Sequence, residues 1–260
     1  MAFLEFNYHS DALRMGVSVN IILPEVRKSA IGIKSGAPEG KCKTLYLLHG
    51  LSDDHTMWMR RTAIERYAIE YGIAVVMPCV GRSWYTDTEY GLNYFTFVAE
   101  ELPRVCQGYF KCISDKREDN YIAGQSMGGY GALKAALTFP EKYAACAALS
   151  GGLDIISRLP GTTADQWQDF FGAGFSSPEM QRDEKCDLFA IADKLKASGE
   201  EPPRIFMWCG TEDFIINANR KFDKHLSALG IEHTYTESEG DHSWKYWDEH
   251  IKDVLKFFFG

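Results

Sequence analysis

Six short strand-like runs, Thr44 to Leu48, Ile73 to Met77, Asn120 to Ala123, Ala144 to Leu149, Arg204 to Cys209 and Glu232 to Thr236, alternate in this chain with segments of mostly helical spacing. Buried strands separated by helices cannot pair through tight hairpins. Each must cross over through its helix, which gives a mostly parallel sheet with helices on both faces. The spacing predicts helices over Met57 to Tyr71, Tyr94 to Phe110, Met127 to Phe139, Leu188 to Ala197, Asn217 to Leu229 and Trp244 to Phe259. The start departs from this rule: Phe3 to Tyr8 and Met15 to Leu23 flank a polar turn at Ser10 and Asp11 and read as an antiparallel pair that opens the sheet. At 260 residues, 45% hydrophobic, the chain can bury a substantial core, and 1–260 reads as one domain. The interval at about 151–203 is too long for a bare loop and carries Trp167, Phe170, Phe171 and Phe175, so it is expected to form a lid or cap.

In such a sheet, chemistry gathers beyond the carboxyl ends of the strands. One such end carries Gly124-Gln125-Ser126-Met127-Gly128, between Tyr121-Ile122-Ala123 and a Gly-, Ala- and Leu-rich helix. Gly-x-Ser-x-Gly in that setting is the signature of a nucleophile elbow, a turn sharp enough to strain the serine and crowd the residues two positions away. Glycine at 124 and 128 removes the side chains that would clash. Alone, the pattern also fits a glycine-rich turn with an incidental serine.

A serine hydroxyl is a weak nucleophile at neutral pH, so Ser126 requires a base within reach and a third group to orient that base. Two later strands supply them. Arg204 to Cys209 leads into Gly210-Thr211-Glu212-Asp213, and the last strand leads into Glu239-Gly240-Asp241-His242-Ser243-Trp244, giving the order serine, acid, histidine. Imidazole ordinarily titrates near neutrality, so His242 can take the serine proton and return it to the leaving alkoxide. Asp213 would hold the other ring nitrogen, with Glu212 and Asp241 as neighbouring alternatives. His225, His233 and His250 read as surface or packing residues, and His9 and His55 lack a strand-end position after the serine. Backbone N–H donors for the tetrahedral oxyanion are expected from Met127, beside the nucleophile, and from Leu51, after the His49-Gly50 corner. His49 reads as structural. Ser52-Asp53-Asp54-His55 lacks a further ligand set, so no metal and no cofactor is expected.

A formal charge of -8 without a basic run argues against nucleic acid or an anionic membrane as partner. No window approaches a membrane span and the N-terminus lacks a signal pattern, so a cytoplasmic location is expected. Cys42, Cys79, Cys106, Cys112, Cys146, Cys186 and Cys209 show no Cys-x-x-Cys or metal-ligand spacing and read as free thiols. Aromatics near the candidate loops are the expected walls of a small-molecule pocket, with Trp58, Trp84, Tyr94 and Trp167 as its candidates. Bulky walls would shorten that pocket, whereas an open trough could stack a hydroxycinnamoyl ring.

Tyr46-Leu47-Leu48-His49-Gly50-Leu51-Ser52-Asp53-Asp54, Val76-Met77-Pro78 with Gly81-Arg82-Ser83, Glu100-Glu101-Leu102-Pro103, and Gly124 through Leu133 together resemble the esterase D-like branch of α/β-hydrolases. The likeness is nearest to bacterial tributyrin esterases, also described as acetyl or cinnamoyl esterases, and covers essentially the whole chain. It implies an α/β-hydrolase fold and a serine carboxylesterase favouring short acyl chains, acetyl to butyryl; with no secretion signal, small imported esters such as acetylated or feruloylated oligosaccharides fit better as substrates than polymeric cell wall. It further implies Ser126, Asp213 and His242 as triad, Leu51 and Met127 as oxyanion donors, and a homo-oligomer. S-formylglutathione hydrolases belong to the wider group but commonly read Gly-Leu-Thr-Cys where this chain has His49-Gly50-Leu51-Ser52. Acyl transfer is the alternative that needs an acceptor site excluding water. A non-catalytic binding protein is the alternative that needs a broken triad.

Overall fold

The polar turn at Ser10 closes a hairpin: β1 (Ala2–Ser10) pairs antiparallel with β2 (Met15–Leu23), Ala2 opposite Leu23 and Ser10 opposite Met15. The structure is a computed structural model that describes residues 1–25, 38, 40–155, 163–175, 177 and 183–260. Next to β2, antiparallel, lies β4 (Ala74–Pro78). From there β3 (Thr44–Leu48), β5 (Asn120–Gln125), β6 (Ala145–Leu149), β7 (Arg204–Gly210) and β8 (Thr234–Ser238) run parallel to it, in the sheet order β1-β2-β4-β3-β5-β6-β7-β8.

Every residue of β3, β4, β5 and β6 is buried, as expected of parallel strands covered on both faces. Alternate side chains divide between two cores. Tyr46 and Leu48 of β3 join one with α4 (Leu102–Tyr109), α5 (Met127–Thr138) and α7 (Leu188–Ser198). Leu45 and Leu47 join the other with α1 (Met57–Arg61), α2 (Ile64–Tyr71) and α9 (Trp244–Phe259). α8 (Ile216–Leu229) follows β7. Between β6 and β7 the described residues form α6 (Ala164–Phe171) and α7. Among the described residues no helix is long and apolar enough to cross a membrane, and all seven cysteines are free.

Two helices differ from the sequence expectation. Met57 to Tyr71 is not one helix: Thr62 is extended (φ -134°, ψ 172°), and its Oγ1 donates to the Trp58 carbonyl while accepting the Ile64 N–H, which ends one helix and starts the next. Tyr94 to Phe110 is helical but not uniformly α: after α3 (Tyr94–Thr96), the segment Phe97–Glu101 is π-helical and leads into α4. Pro103 lacks the N–H that would bond the Ala99 carbonyl. Lys142 Nζ donates to that oxygen instead, at 3.2 Å.

The π turn aims the buried Glu101 at the hairpin, where its carboxyl accepts from Ser10 Oγ (2.7 Å) and from the amides of Asp11 (2.9 Å) and Ala12 (3.0 Å). Glu101→Ala leaves these donors without an acceptor and is expected to lower unfolding stability by about 3 kcal/mol. Urea denaturation of the two proteins measures the difference.

Candidate active site

β5 ends at Gln125 and α5 begins at Met127, so the chain turns from strand to helix on Ser126 alone. Its φ of 54° and ψ of -119° place a non-glycine residue where surroundings must impose the conformation. They do so through both backbone groups. Ser126 N–H donates to Leu149 O (3.0 Å), and its carbonyl accepts from Tyr130 (3.2 Å) and Gly152 (3.0 Å). A Cβ at Gly128 would overlap the Leu48 and His49 carbonyls, so only glycine lets α5 lie against the end of β3.

At that edge of the sheet three side chains form one hydrogen-bonded chain. Ser126 Oγ lies 3.0 Å from His242 Nε2, and His242 Nδ1 lies 2.8 Å from Asp213 Oδ2 and 3.1 Å from Oδ1. Asp213 follows β7 and is 2% exposed; its Oδ1 also accepts the Ile215 N–H at 3.0 Å. Burial opposes ionisation of this carboxyl, but the His242 hydrogen bond and charge, helped by the Ile215 amide, hold it below the ordinary aspartate range. The imidazole packs between Trp247, edge-on at 5.0 Å, and the exposed Phe214, at 4.6 Å.

The alternative partners are engaged elsewhere. Glu212 Oε2 accepts the Gly240 N–H at 2.7 Å, which ties the Asp213 loop to the His242 loop. His225 bonds Asp193, His233 bonds Asp223 and His250 bonds Asp253. Asp54 accepts from the amide and hydroxyl of Thr56, and among the described residues no group of three or more His, Cys, Asp or Glu is placed to hold a metal ion.

The loop that carries Leu51 is fixed by contacts that sequence reasoning missed. Gln125 Nε2 donates to Asp53 Oδ2 at 2.7 Å, and a Cβ at Gly50 would overlap the Gln125 amide. Tyr85 OH donates to the His49 carbonyl at 2.9 Å. His49 Nε2 accepts the Val80 N–H at 3.0 Å, which assigns the proton to Nδ1, bonded to Gly50 O at 2.8 Å. Burial lowers the pKa of His49 and keeps the ring neutral in this role. The one available signal was a polar glutamine inside an otherwise apolar strand end.

The aromatic candidates separate. Trp58 is a core residue rather than a pocket wall: it is 1% exposed, meets Trp244 edge-on at 5.0 Å and donates Nε1 to Leu48 O at 3.0 Å. Trp84 lies beside the elbow, its ring against Gly152, 5.0 Å from Phe171 and 5.7 Å from Tyr130. Tyr94 is half-buried against the α5-side core. The Trp167 side chain lies outside the described residues.

The Esterase family model ("Putative esterase") matches residues 10–258. An acetyl esterase of Caldicellulosiruptor saccharolyticus is 32% identical over 263 residues, 99% of this chain and 98% of that one. Two Staphylococcus aureus structures align over 100% of this chain. The fluorophosphonate-binding serine hydrolase FphF, substrate bound, matches over 98% of its length with a TM-score of 0.86 and 35% identity. The S-formylglutathione hydrolase FrmB, apoenzyme, matches over 99% with a TM-score of 0.85 and 34% identity.

Proposed function

We propose that this chain, which belongs to the Esterase family, has the α/β-hydrolase fold and is a carboxylic ester hydrolase, cleaves short-chain acyl esters through an acyl-enzyme on Ser126. The observation that carries this reading is the unbroken hydrogen-bond chain from the strained Ser126 through His242 to Asp213. His242 removes the serine proton as Oγ attacks the carbonyl carbon, and the same proton then passes to the departing alkoxide. Water, deprotonated by His242, releases the acid and restores Ser126. The amides of Met127 and Leu51 carry the charge of the tetrahedral oxygen: one opens α5, and the other stands in the loop latched by Gln125 and Tyr85.

Likeness to the acetyl esterase and the buried aromatics around Trp84 support small acyl groups, acetyl to butyryl, including acetyl esters of sugars. A second reading, thioester hydrolysis of S-formylglutathione, is favoured by likeness to FrmB over the full chain. One panel separates them: nitrophenyl esters from acetate to octanoate, methyl ferulate and S-formylglutathione. The expected result is a kcat/KM maximum at acetate to butyrate that exceeds both methyl ferulate and S-formylglutathione. A maximum at octanoate or at the thioester refutes the short-chain ester reading.

A further inference from the structure

Trp84 (φ 51°) and Tyr85 (φ 48°) are consecutive non-glycine residues with left-handed backbone, both buried, in the loop after β4. L-residues hold that conformation only where their surroundings enforce it. Ser83 holds part of this turn, its Oγ accepting the Tyr85 N–H at 3.2 Å and its carbonyl the Thr86 N–H at 3.2 Å, and a buried lysine holds the carbonyls of the pair. Lys134, on the third turn of α5 and 2% exposed, donates from Nζ to the Tyr85 carbonyl at 3.2 Å and to Thr86 Oγ1 at 3.1 Å, and Thr86 Oγ1 donates onward to the Trp84 carbonyl at 2.9 Å. One amino group therefore bonds both left-handed carbonyls, directly and through one hydroxyl. Its hydrogen-bond partners are neutral oxygens and the Cys186 thiol at 3.9 Å, with the rings of Phe95 and Tyr130 at 4.7 and 5.5 Å. Burial lowers its pKa, as expected of a cation removed from water.

The two residues it contacts bear on the candidate site through different elements. Tyr85 lies flat on Gly131 of α5, where a Cβ would overlap its ring, and its hydroxyl holds the His49 carbonyl at the root of the Leu51 loop. Trp84 lies over Gly152, whose N–H bonds the Ser126 carbonyl, and donates Nε1 to the Phe170 carbonyl of α6 at 2.6 Å. A shift of the hinge thus moves the oxyanion loop and the wall beside the nucleophile together.

We propose that Lys134 is a positioning residue for ester hydrolysis, holding the Trp84–Tyr85 hinge so that Trp84 bounds the acyl group and Tyr85 fixes the oxyanion loop. This rests on the Ser126 triad reading. Lys134→Met keeps the length of the side chain and removes its donors; Thr86→Val keeps the shape of the loop and removes only the bridging hydroxyl. For each protein, kcat and KM are measured with nitrophenyl acetate and hexanoate in one preparation. The acetate-to-hexanoate ratio of kcat/KM cancels the amount of folded enzyme, so a role confined to stability leaves it unmoved. The ratio is expected to change by roughly tenfold in Lys134→Met, with most of the loss in kcat, and by about threefold in the same direction in Thr86→Val. If Lys134→Met does not fold, Thr86→Val decides. An unchanged ratio overturns the proposal even where the melting temperature falls, and a wild-type chain that cleaves neither ester overturns the triad reading with it.

Discussion

Ser126→Ala is expected to lower kcat for a short-chain nitrophenyl ester by roughly 10⁵-fold or more and to abolish the fluorophosphonate adduct that intact mass should detect on the wild-type chain. The effect is this large because Oγ supplies the bond that forms. Without it, the amides of Met127 and Leu51, the proposed oxyanion donors, would still polarise a bound carbonyl, but His242 would have only bulk water to activate. The fold should survive. Alanine has the same backbone preferences as serine at φ 54°, and the bonds that pin residue 126, from its N–H to Leu149 and to its carbonyl from Tyr130 and Gly152, are all backbone groups. A melting temperature near that of the wild type therefore separates lost chemistry from lost structure. An adduct that persists on another residue, or turnover within tenfold of wild type, would remove Ser126 from the mechanism.

Ser126, His242 and Asp213 were legible in the sequence because parallel strands put their carboxyl ends on one edge. β5, β7 and β8 share that edge, and a residue just past each end has little freedom to lie elsewhere. The strand-like runs and the polar turn at Ser10 located the hairpin and each described strand to within a few residues. What it could not reach depends on side chains that cross between elements far apart in sequence. Trp58 and Trp84 both follow strand ends. Only the packing of α1 on α9 sends Trp58 into the core, while the left-handed turn at Trp84 brings that ring to the elbow. Gln125 stands in the sequence only as a variable position of the elbow, yet its amide fills the space that Gly50 leaves and holds Asp53. The break at Thr62 was equally hidden, since threonine is tolerated in helices unless its hydroxyl finds backbone partners, as it does at Trp58 and Ile64.

Asp213→Asn is expected to cost about 10⁴-fold in kcat at neutral pH with little change in stability. The reason is the second bond on the carboxyl. Oδ1 accepts the Ile215 N–H at 3.0 Å, and an asparagine must keep its carbonyl there to satisfy that buried amide. Its NH₂ then falls at the position of Oδ2, 2.8 Å from His242 Nδ1, and presents a donor where an acceptor stood. The imidazole answers by carrying its proton on Nε2, facing Ser126 Oγ, and can no longer accept the serine proton. Asp213 titration does not contribute this effect in the wild-type enzyme. Because its pKa is held below the ordinary carboxylate range, the side chain stays ionised as pH falls through the acid limb of activity. The Asp213 carboxyl therefore adds no proton to that limb, and log kcat/KM is expected to fall with a slope of about one per pH unit. A slope of two would mean that the carboxylate protonates alongside the ring. Turnover by Asp213→Asn within tenfold of wild type would instead transfer the orienting role to another group, with Glu212, one residue away on the same loop, the first to test.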